Sequence, residues 1–288
     1  MESMQFFAEH RDAFLFVVGL VSLLIGSFLN VVIYRLPRIM QQHWSEECRI
    51  YLRLKPHTDT DKLSLSLPFS HCPRCKKTIR PWHNIPILSF LWLKGRCAHC
   101  KAHISLRYPL VEGLTCLVSL YAAAKFGATP QTFAALLFGW ICICLTFIDI
   151  DYHLLPDELT LSLLWAGLFF SIFYLFTNSQ DAILGALAGY LIFAAIQWLF
   201  RLITHKTGMG QGDYKLLAAI GAFLGWQMLP LVILLASVSG LIFALTQMVL
   251  RKNYTSTPLP FGPYLAIAGW VALLWGNEIM KYYLHIMW

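Results

Sequence analysis

Long apolar stretches recur along almost the whole chain and constrain its fold more than any other feature. Hydrophobic residues make up 58% and charged residues 13% of the 288 residues, whereas soluble domains are about 25% charged. About 20 apolar residues are needed to cross the hydrocarbon core of a bilayer. Eight stretches approach this length: 12–34, 108–125, 131–150, 159–176, 182–200, 215–227, 228–250 and 259–277. The sequence therefore predicts an all-α polytopic membrane protein with about eight transmembrane helices.

Three of these stretches differ from a simple isolated span. The sixth and seventh are continuous, and the segment GWQMLP predicts a turn between them because it contains Gln227 and Pro230. The first stretch is longer than the apolar region of a typical signal peptide, and acidic rather than basic residues precede it. We therefore expect the first stretch to remain as a membrane anchor.

The lysines and arginines predict the orientation of the chain, because they accumulate on the cytoplasmic side of a membrane protein. Residues 35–107 contain 14 of the 22, and alternate loops add Arg201, Lys206, Lys215, Arg251 and Lys252. The prediction is an N-terminus outside, the 35–107 loop in the cytoplasm and a C-terminus outside. Three regions follow: an outer N-terminus with the first helix (1–34), a cytoplasmic loop domain (35–107) and a seven-helix membrane core (108–288).

The cytoplasmic loop has a formal charge of about +10, which suits contact with an anionic lipid leaflet. A basic segment also suits nucleic acid, but no recognised DNA- or RNA-binding module is present. Since the membrane topology already explains the excess of positive charge, we expect membrane lipid and no nucleic acid among the partners.

Two copies of the pattern C-x-x-C-K-x-x-I lie in this loop, in HCPRCKKTI and CAHCKAHI. Each pair of cysteines can point both sulfurs at one position, and two pairs complete a tetrahedral site of the kind that zinc prefers. The predicted ligands are Cys72, Cys75, Cys97 and Cys100. Four thiolates leave no open coordination position, so the zinc would be structural, within a zinc-knuckle loop domain.

Other interpretations of the four cysteines remain open. Two disulfides would be unusual in the reducing cytoplasm, and an iron–sulfur centre has the same kind of ligands. The remaining cysteines are less informative: Cys48 is a lone thiol in the loop, and Cys116, Cys142 and Cys144 lie within apolar stretches, where cysteine is an ordinary small residue. The apolar segment WHNIPILSFLWLKG between the pairs is too short to span a bilayer, and we expect it to cover the knuckles or to lie in the membrane interface.

Four acids gather at the end of the third stretch, in TFIDIDYHLLPDELT. A carboxylate at the edge of a bilayer is costly and is a functional candidate by default. Asp149 follows the apolar run directly, whereas Asp151 would point to another side of a helix. Asp157 and Glu158 follow a proline at the start of the next helix, where Asp157 can cap it and Glu158 can favour its positive end.

A fifth acid, Asp213, begins the sixth stretch after the glycine-rich run GMGQG. A nucleotide-binding loop is the rival interpretation of these glycines, but neither G-x-G-x-x-G nor a Walker lysine is present. With the predicted topology, Asp149 and Asp213 reach the same cytoplasmic depth from separate helices. Two carboxyl groups that share a proton can activate water against a peptide bond, as in aspartic proteases. A proton-coupled transporter with paired carboxylates is the alternative.

Several motifs occur in order along nearly the whole chain: GSFLNVVIYRLP, the paired CxxC, RYPLVE, FIDIDYHLLPDELTL, GMGQGDYKLLAAIGAFLGW and PFGPYLAIAGW. Together they resemble the bacterial type IV prepilin peptidases, also called leader peptidase/N-methyltransferases, within the GxGD class of intramembrane aspartic proteases that includes the presenilins. Each motif alone is modest, but their order and spacing are specific.

The resemblance implies an endopeptidase of the bacterial inner membrane. Such enzymes remove the leader from prepilins and pseudopilins of type IV pili and type II secretion, after a glycine and on the cytoplasmic side. Carried over by motif, Asp149 and Asp213 are the catalytic pair, with Asp151 as the fallback for one member. The four cysteines match those of the family members that bind zinc.

The resemblance also implies methylation of the new N-terminal residue with S-adenosylmethionine. The sequence shows no fingerprint of a cofactor pocket, so the methyl-donor site is unknown, and Glu112 near the start of the second span is a weak candidate. Gly26 and Asn30 in the first span suit either a pocket or helix packing. The alternatives are a peptidase without methyltransferase activity, a transporter, or a zinc-ribbon scaffold that recruits a partner and needs neither aspartate.

Overall fold

The computed structural model of the chain describes residues 7, 9–54, 63–67, 69–72, 74–205, 208–250 and 259–287. Within these ranges the chain forms helices and two isolated β-bridges, and no strand. It divides into two compact units, Met1–Ala124 and Lys125–Trp288. Lys206, Arg251 and Lys252, which the orientation prediction counts, lie outside the described residues.

The first unit contains two long helices, with the cysteine-rich loop between them. Its described elements are α1 (Arg11–Tyr51), a 3-10 turn (Pro81–Asn84), the short α2 (Leu88–Trp92) and α3 (Arg107–Phe126). Helix α1 has 41 residues and is therefore about 61 Å long at 1.5 Å per residue. It continues past the predicted end of the first span at residue 34, because a change from apolar to charged residues marks the edge of the lipid rather than the end of a helix.

Small and amide residues pack α1 against α3. A Cβ atom added at Gly26 would lie 2.8 Å from the Cα atom of Glu112, so the backbones approach as closely as only glycine allows. The Asn30 side chain donates to the carbonyl oxygen atoms of Gly26 (3.3 Å) and Tyr108 (3.1 Å). Of the two roles that the sequence left open for Gly26 and Asn30, the structure shows helix packing.

The described part of the second unit is a bundle of six helices. In chain order they are α4 (Pro130–Tyr152), α5 (Asp157–Ile172), α6 (Ser179–Thr204), α7 (Gln211–Leu224), α8 (Leu229–Leu250) and α9 (Gly262–Met287). Proline at the first position of α4 and the Asn178 side chain, which accepts from the Asp181 N–H at 2.7 Å, are ordinary helix-start features. The turn predicted in GWQMLP is present, with Gly225 at φ +83° between α7 and a 3-10 turn (Trp226–Met228).

Helix α7 is the centre of this bundle: it has 14 residues, and every residue from Leu216 to Leu224 is buried. Glycines let its neighbours approach its backbone. A Cβ atom at Gly185 on α6 would lie 2.3 Å from the carbonyl oxygen of Gly221, and one at Gly167 on α5 would lie 2.6 Å from the Phe223 ring. The aromatic rings of Phe138 on α4 and Phe223 pack with their centroids 5.0 Å apart. The short helix is thereby enclosed by protein.

The predicted all-α membrane architecture is confirmed. Each of the eight predicted stretches forms a helix in the described residues, and five helical segments are long and apolar enough to cross a membrane. These five are Arg11–Tyr51, Arg107–Phe126, Pro130–Tyr152, Ser179–Thr204 and Trp226–Leu250. Helices α5 and α7 have 16 and 14 residues, fewer than the about 20 needed for a full crossing. The number of crossings therefore stays a prediction.

Substitution of Gly221 with alanine is expected to destabilise the second unit by about 1–3 kcal/mol, the usual cost of overpacking. The added Cβ atom would lie 2.2 Å from the Gly185 carbonyl oxygen, so α6 and α7 must separate. Thermal unfolding of the purified protein in detergent measures the effect. Gly240→Ala is the control, since its nearest neighbour is the Tyr264 ring at 3.5 Å. Equal melting temperatures for the two variants would contradict this packing.

Candidate functional site

Asp149 lies in the last turn of α4 and is 5% exposed. The helix ends just beyond it, where His153 adopts the left-handed conformation (φ 51°, ψ 42°) and its N–H donates to the Asp149 carbonyl oxygen at 2.9 Å. On the side chain, Oδ2 accepts a hydrogen bond from the backbone N–H of Gly262 at 2.9 Å. One backbone N–H thus positions the buried carboxyl group itself, and the other ends the helix that carries it.

Asp213 lies in the first turn of α7 and is 7% exposed. The preceding loop is held by Gln197 of α6, whose Oε1 accepts from the N–H groups of Gly208 and Met209, both at 3.1 Å. Gly210 has φ −75° and Gly212 is helical, so neither uses an unusual backbone angle. What Gly212 provides is room, because a Cβ atom there would lie 2.6 Å from the Cβ atom of Leu155.

Leu155 packs against residues that adjoin both Asp149 and Asp213. Its side chain is buried and contacts Gly212, next to Asp213, while its Cδ2 atom would be 3.0 Å from a Cβ atom at Gly262, the residue that binds Asp149. The two carboxyl groups are near enough to interact electrostatically. Asp149 and Asp213 therefore belong to one buried cluster, as two carboxyl groups that share a proton must. Asp151, the fallback residue, is exposed.

Sequence reasoning missed two residues of this cluster. Gly262 belongs to PFGP at the start of α9, and Leu155 belongs to the four-residue link between α4 and α5. Gly262 lies 113 positions from Asp149 in the sequence, so no local sequence pattern predicts their contact. The proline on each side of Phe261-Gly262 was the available signal, because prolines fix the backbone on either side of a position.

The expected capping role of Asp157 is wrong, whereas Glu158 does lie in the first turn of α5 as expected. The residue that precedes the helix is Pro156, and Asp157 is its first residue. The Asp157 carboxylate instead accepts from the Lys215 ammonium group at 2.6 and 2.7 Å. This ion pair joins the start of α5 to the second turn of α7, two residues beyond Asp213. Since both side chains are partly exposed, its contribution to stability is small, about 0–1 kcal/mol.

The four loop cysteines form one cluster. Their Sγ atoms lie within 4.8 Å of one another, and those of Cys72 and Cys100 are 3.7 Å apart. Zinc–sulfur bonds of about 2.3 Å in a tetrahedron place the sulfurs about 3.8 Å apart, so the four residues fit a structural zinc ion. Backbone N–H groups, first that of Cys75, lower the pKa of the Cys72 thiol to about 6. At Cys100 the Ala102 N–H acts in the same direction, but burial and the neighbouring thiols outweigh it and raise the pKa to about 11, so the first thiolate that a metal needs forms at Cys72.

The two knuckles have the same backbone design, as their sequence repeat predicts. The N–H of Lys76 donates to the Cys72 carbonyl oxygen at 2.9 Å, and that of Lys101 to the Cys97 carbonyl oxygen at 3.1 Å. Both lysines have positive φ angles, 58° and 57°. The lysines thus close equivalent turns that direct each cysteine pair toward the common centre.

Replacement of Cys72 or Cys97 with serine is expected to reduce bound zinc from about one equivalent per chain to nearly none. Loss of one thiolate leaves a three-ligand site, and the loop then loses the stabilisation that a structural metal gives. Elemental analysis of the purified protein measures the metal. Cys48→Ser, at an exposed thiol outside the cluster, is the matched control. Unchanged zinc in both ligand variants would contradict the assignment.

Glu112, the weak cofactor candidate, is buried in α3. Its Oε2 atom accepts from the backbone N–H of Ile87 at 2.8 Å. Ile87 has φ +58°, a left-handed conformation that is rare for a β-branched residue. In the structure the carboxylate therefore holds a strained turn of the loop against α3.

These features define a class of protein: a helical membrane protein with a buried pair of aspartates and a four-cysteine cluster that fits a metal ion, as expected of an aspartic protease that works in a membrane. Two family models match the chain. Bacterial Peptidase A24 N-terminal domain matches residues 20–126, and Type IV leader peptidase family matches residues 136–245. The chain belongs to the type IV leader peptidase family, as its motifs predicted.

Curated relatives agree over almost the full length. The prepilin leader peptidase/N-methyltransferase of Aeromonas salmonicida is 53% identical over 270 residues, 93% of each chain. That of Pseudomonas aeruginosa is 51% identical over 284 residues, 99% of this chain and 98% of the relative. The Legionella pneumophila protein of the same name is 46% identical over 268 residues, 93% of each chain. No solved structure matches the chain.

Proposed function

We propose that this chain is an aspartic endopeptidase of the bacterial inner membrane that removes the leader from type IV prepilins and pseudopilins and then methylates the new N-terminus. The family and the names of the relatives support this function and do not favour a transporter. The observation that carries it is the buried cluster in which Gly262 positions Asp149 and Leu155 reaches the residue next to Asp213.

The two aspartates share the work of peptide hydrolysis. The ionised carboxylate takes a proton from water, while the protonated one donates a hydrogen bond to the peptide carbonyl. Water oxygen then bonds to the carbonyl carbon, and the carbon–nitrogen bond breaks as the nitrogen receives a proton. The low polarity around the pair strengthens these interactions. No nucleophilic side chain is required.

The predicted orientation places this chemistry on the cytoplasmic side. The N-terminus and C-terminus lie outside, and the loop domain 35–107 and the cleavage site face the cytoplasm, with residues 108–288 as the catalytic core. Cleavage follows a glycine of the substrate, whose apolar segment lies in the bilayer. The positive-inside distribution of lysine and arginine supports this arrangement.

The methyltransferase half depends on the family and on the relatives' names. S-adenosylmethionine would supply the methyl group, and its sulfonium is positive. The open pocket of about 410 Å³ beside the knuckles is lined by Lys76, Lys77, Arg80 and His99 and therefore does not suit a cation. Glu112 carries the opposite charge and stays the candidate for the methyl-donor site, although its carboxylate already binds Ile87.

A single assay tests both activities. The purified protein, reconstituted with a prepilin-type substrate and labelled methyl donor, should shorten the substrate by its leader and transfer label to the shortened product. Gel mobility and the mass of the product report cleavage, and radioactivity in the product band reports methylation. Cleavage without label would support the peptidase alone, and an uncut substrate would contradict the proposal.

A further inference from the structure

The segment between the two cysteine pairs exposes large apolar side chains. Leu88, Leu91 and Trp92 on helix α2 are 66%, 65% and 78% exposed. Trp82 and Ile85 just before α2 are also exposed. We call residues 82–92 the apolar loop. Contiguous apolar surface of this kind marks a site of contact with a protein or with lipid.

A hydrogen bond fixes where the apolar loop lies along α3. The Ile87 N–H binds the Glu112 carboxylate at 2.8 Å, and the Ile87 Cδ1 atom would be 3.9 Å from a Cβ atom at Gly113. Glu112 is five residues beyond the start of α3, or about 7.5 Å along the helix. Because α3 is a candidate membrane span, the apolar loop is attached to that span beyond its polar end, at the depth where headgroups meet acyl chains.

Basic residues line a pocket that adjoins the apolar loop at Arg80. The open pocket of about 410 Å³ is lined by Lys76, Lys77, Thr78, Ile79, Arg80 and His99. The Arg80 guanidinium lies 5.7 Å from the centroid of the Trp82 ring, so Arg80 belongs both to the pocket and to the edge of the apolar loop. Tryptophan beside arginine or lysine is the usual composition of a protein surface at the membrane interface.

We propose that the apolar loop is a second membrane contact of the first unit, with Leu88, Leu91 and Trp92 inserted among acyl chains and the pocket occupied by the phosphate of an anionic phospholipid. Two observations select lipid over a protein partner. The loop is fastened to a membrane-spanning helix at interfacial depth, and the charge beside it is complementary to an anionic leaflet. The loop thereby anchors the zinc knuckles at the bilayer surface.

Site-specific photocrosslinking tests this contact in the full-length, zinc-loaded protein. Benzoylphenylalanine is placed at position 88 or 92, and the protein is reconstituted in nanodiscs of phosphatidylcholine alone or with 30% phosphatidylglycerol. Mass spectrometry then measures phospholipid adducts after irradiation. We expect several-fold more adduct at positions 88 and 92 than at position 45, where Ser45 is an exposed residue on the extension of α1.

The lipid composition of the adducts tests the charged pocket separately. Phosphatidylglycerol should be enriched in the adducts of the unaltered pocket by about twofold or more over its share of the nanodisc. The double variant Lys77→Gln, Arg80→Gln should lose this enrichment, with bound zinc unchanged as the check that the knuckles remain folded. The double variant Arg53→Gln, Lys94→Gln, at exposed residues outside the pocket lining, is the control for loss of charge alone.

Two outcomes overturn the proposal. Crosslinks from positions 88 and 92 to this chain or to a second copy, in place of lipid, would show that protein covers the apolar loop. Adducts without preference for phosphatidylglycerol would show that the pocket does not bind an anionic headgroup. Neither readout depends on catalysis, so failure here is separate from failure of the peptidase assignment.

Discussion

Replacement of Asp149 or Asp213 with asparagine is expected to abolish cleavage of a prepilin substrate while leaving the amount of protein in the membrane unchanged. Asparagine has nearly the same shape as aspartate, so the buried cluster keeps its packing, but it neither accepts a proton from water nor shares one. Groups that transfer protons contribute about 10²–10⁴-fold to rates, and loss of either member disables the pair. Single-turnover cleavage with excess enzyme gives the rate.

The exposed Asp151 provides the matched control, because it lies on the same helix two residues from Asp149. Asp151→Asn should cleave at close to the normal rate. If Asp151→Asn were inactive and Asp149→Asn active, the fallback residue would replace Asp149 in the pair. Normal processing by either Asp149→Asn or Asp213→Asn would refute its assignment.

Replacement of Gly262 with alanine should reduce cleavage by about 10²-fold, the loss that follows a displacement of about 1 Å in a catalytic group. The new Cβ atom would lie 2.7 Å from Oδ2 of Asp149 and 3.0 Å from Cδ2 of Leu155. The carboxyl group must move, and the hydrogen bond from the Gly262 N–H is strained with it. Rates at saturating substrate separate this effect from weaker binding.

The Gly240→Ala variant is the control for this change too, since it makes the same chemical alteration with only ordinary contacts. The Gly262→Ala protein should keep a melting temperature within a few degrees of the parent, in contrast to Gly221→Ala. A fully active Gly262→Ala enzyme would mean that the position of Asp149 does not depend on the start of α9.

Hydropathy and motif order were sufficient for the all-α membrane architecture, the family and the four-cysteine cluster. The reason is physical: lipid contact requires long apolar runs, and a metal site requires ligands at short, regular spacing. Asp149 was also recognisable, because it follows the apolar run directly. No polar spacer separates it from the membrane span and places it in a water-exposed loop. Its burial, against the exposure of Asp151, needed three-dimensional packing to establish.

The residues that sequence reasoning missed act through contacts between distant parts of the chain. Leu155 packs into the space that the missing side chains of Gly212 and Gly262 leave. Gly262 positions Asp149 because its N–H donates a hydrogen bond to the carboxyl group. Neither residue carries chemistry of its own. The capping prediction for Asp157 was wrong for a similar reason. Aspartate is a common capping residue at a helix start, but here Lys215, from a distant part of the chain, forms an ion pair with its carboxylate.

Helix α1 extends 17 residues past residue 34, from Arg35 to Tyr51, which corresponds to about 25 Å. The Arg35 guanidinium donates to the carbonyl oxygen atoms of Ser64 (2.9 Å) and Leu65 (3.2 Å), so the polypeptide has returned by residue 64 to the base of this extension. The far end of α1 is thus a solvent-exposed helical extension of this unit. An antibody fragment or fused marker attached near Tyr51 would add mass for electron cryomicroscopy and leave the packed part of this unit undisturbed.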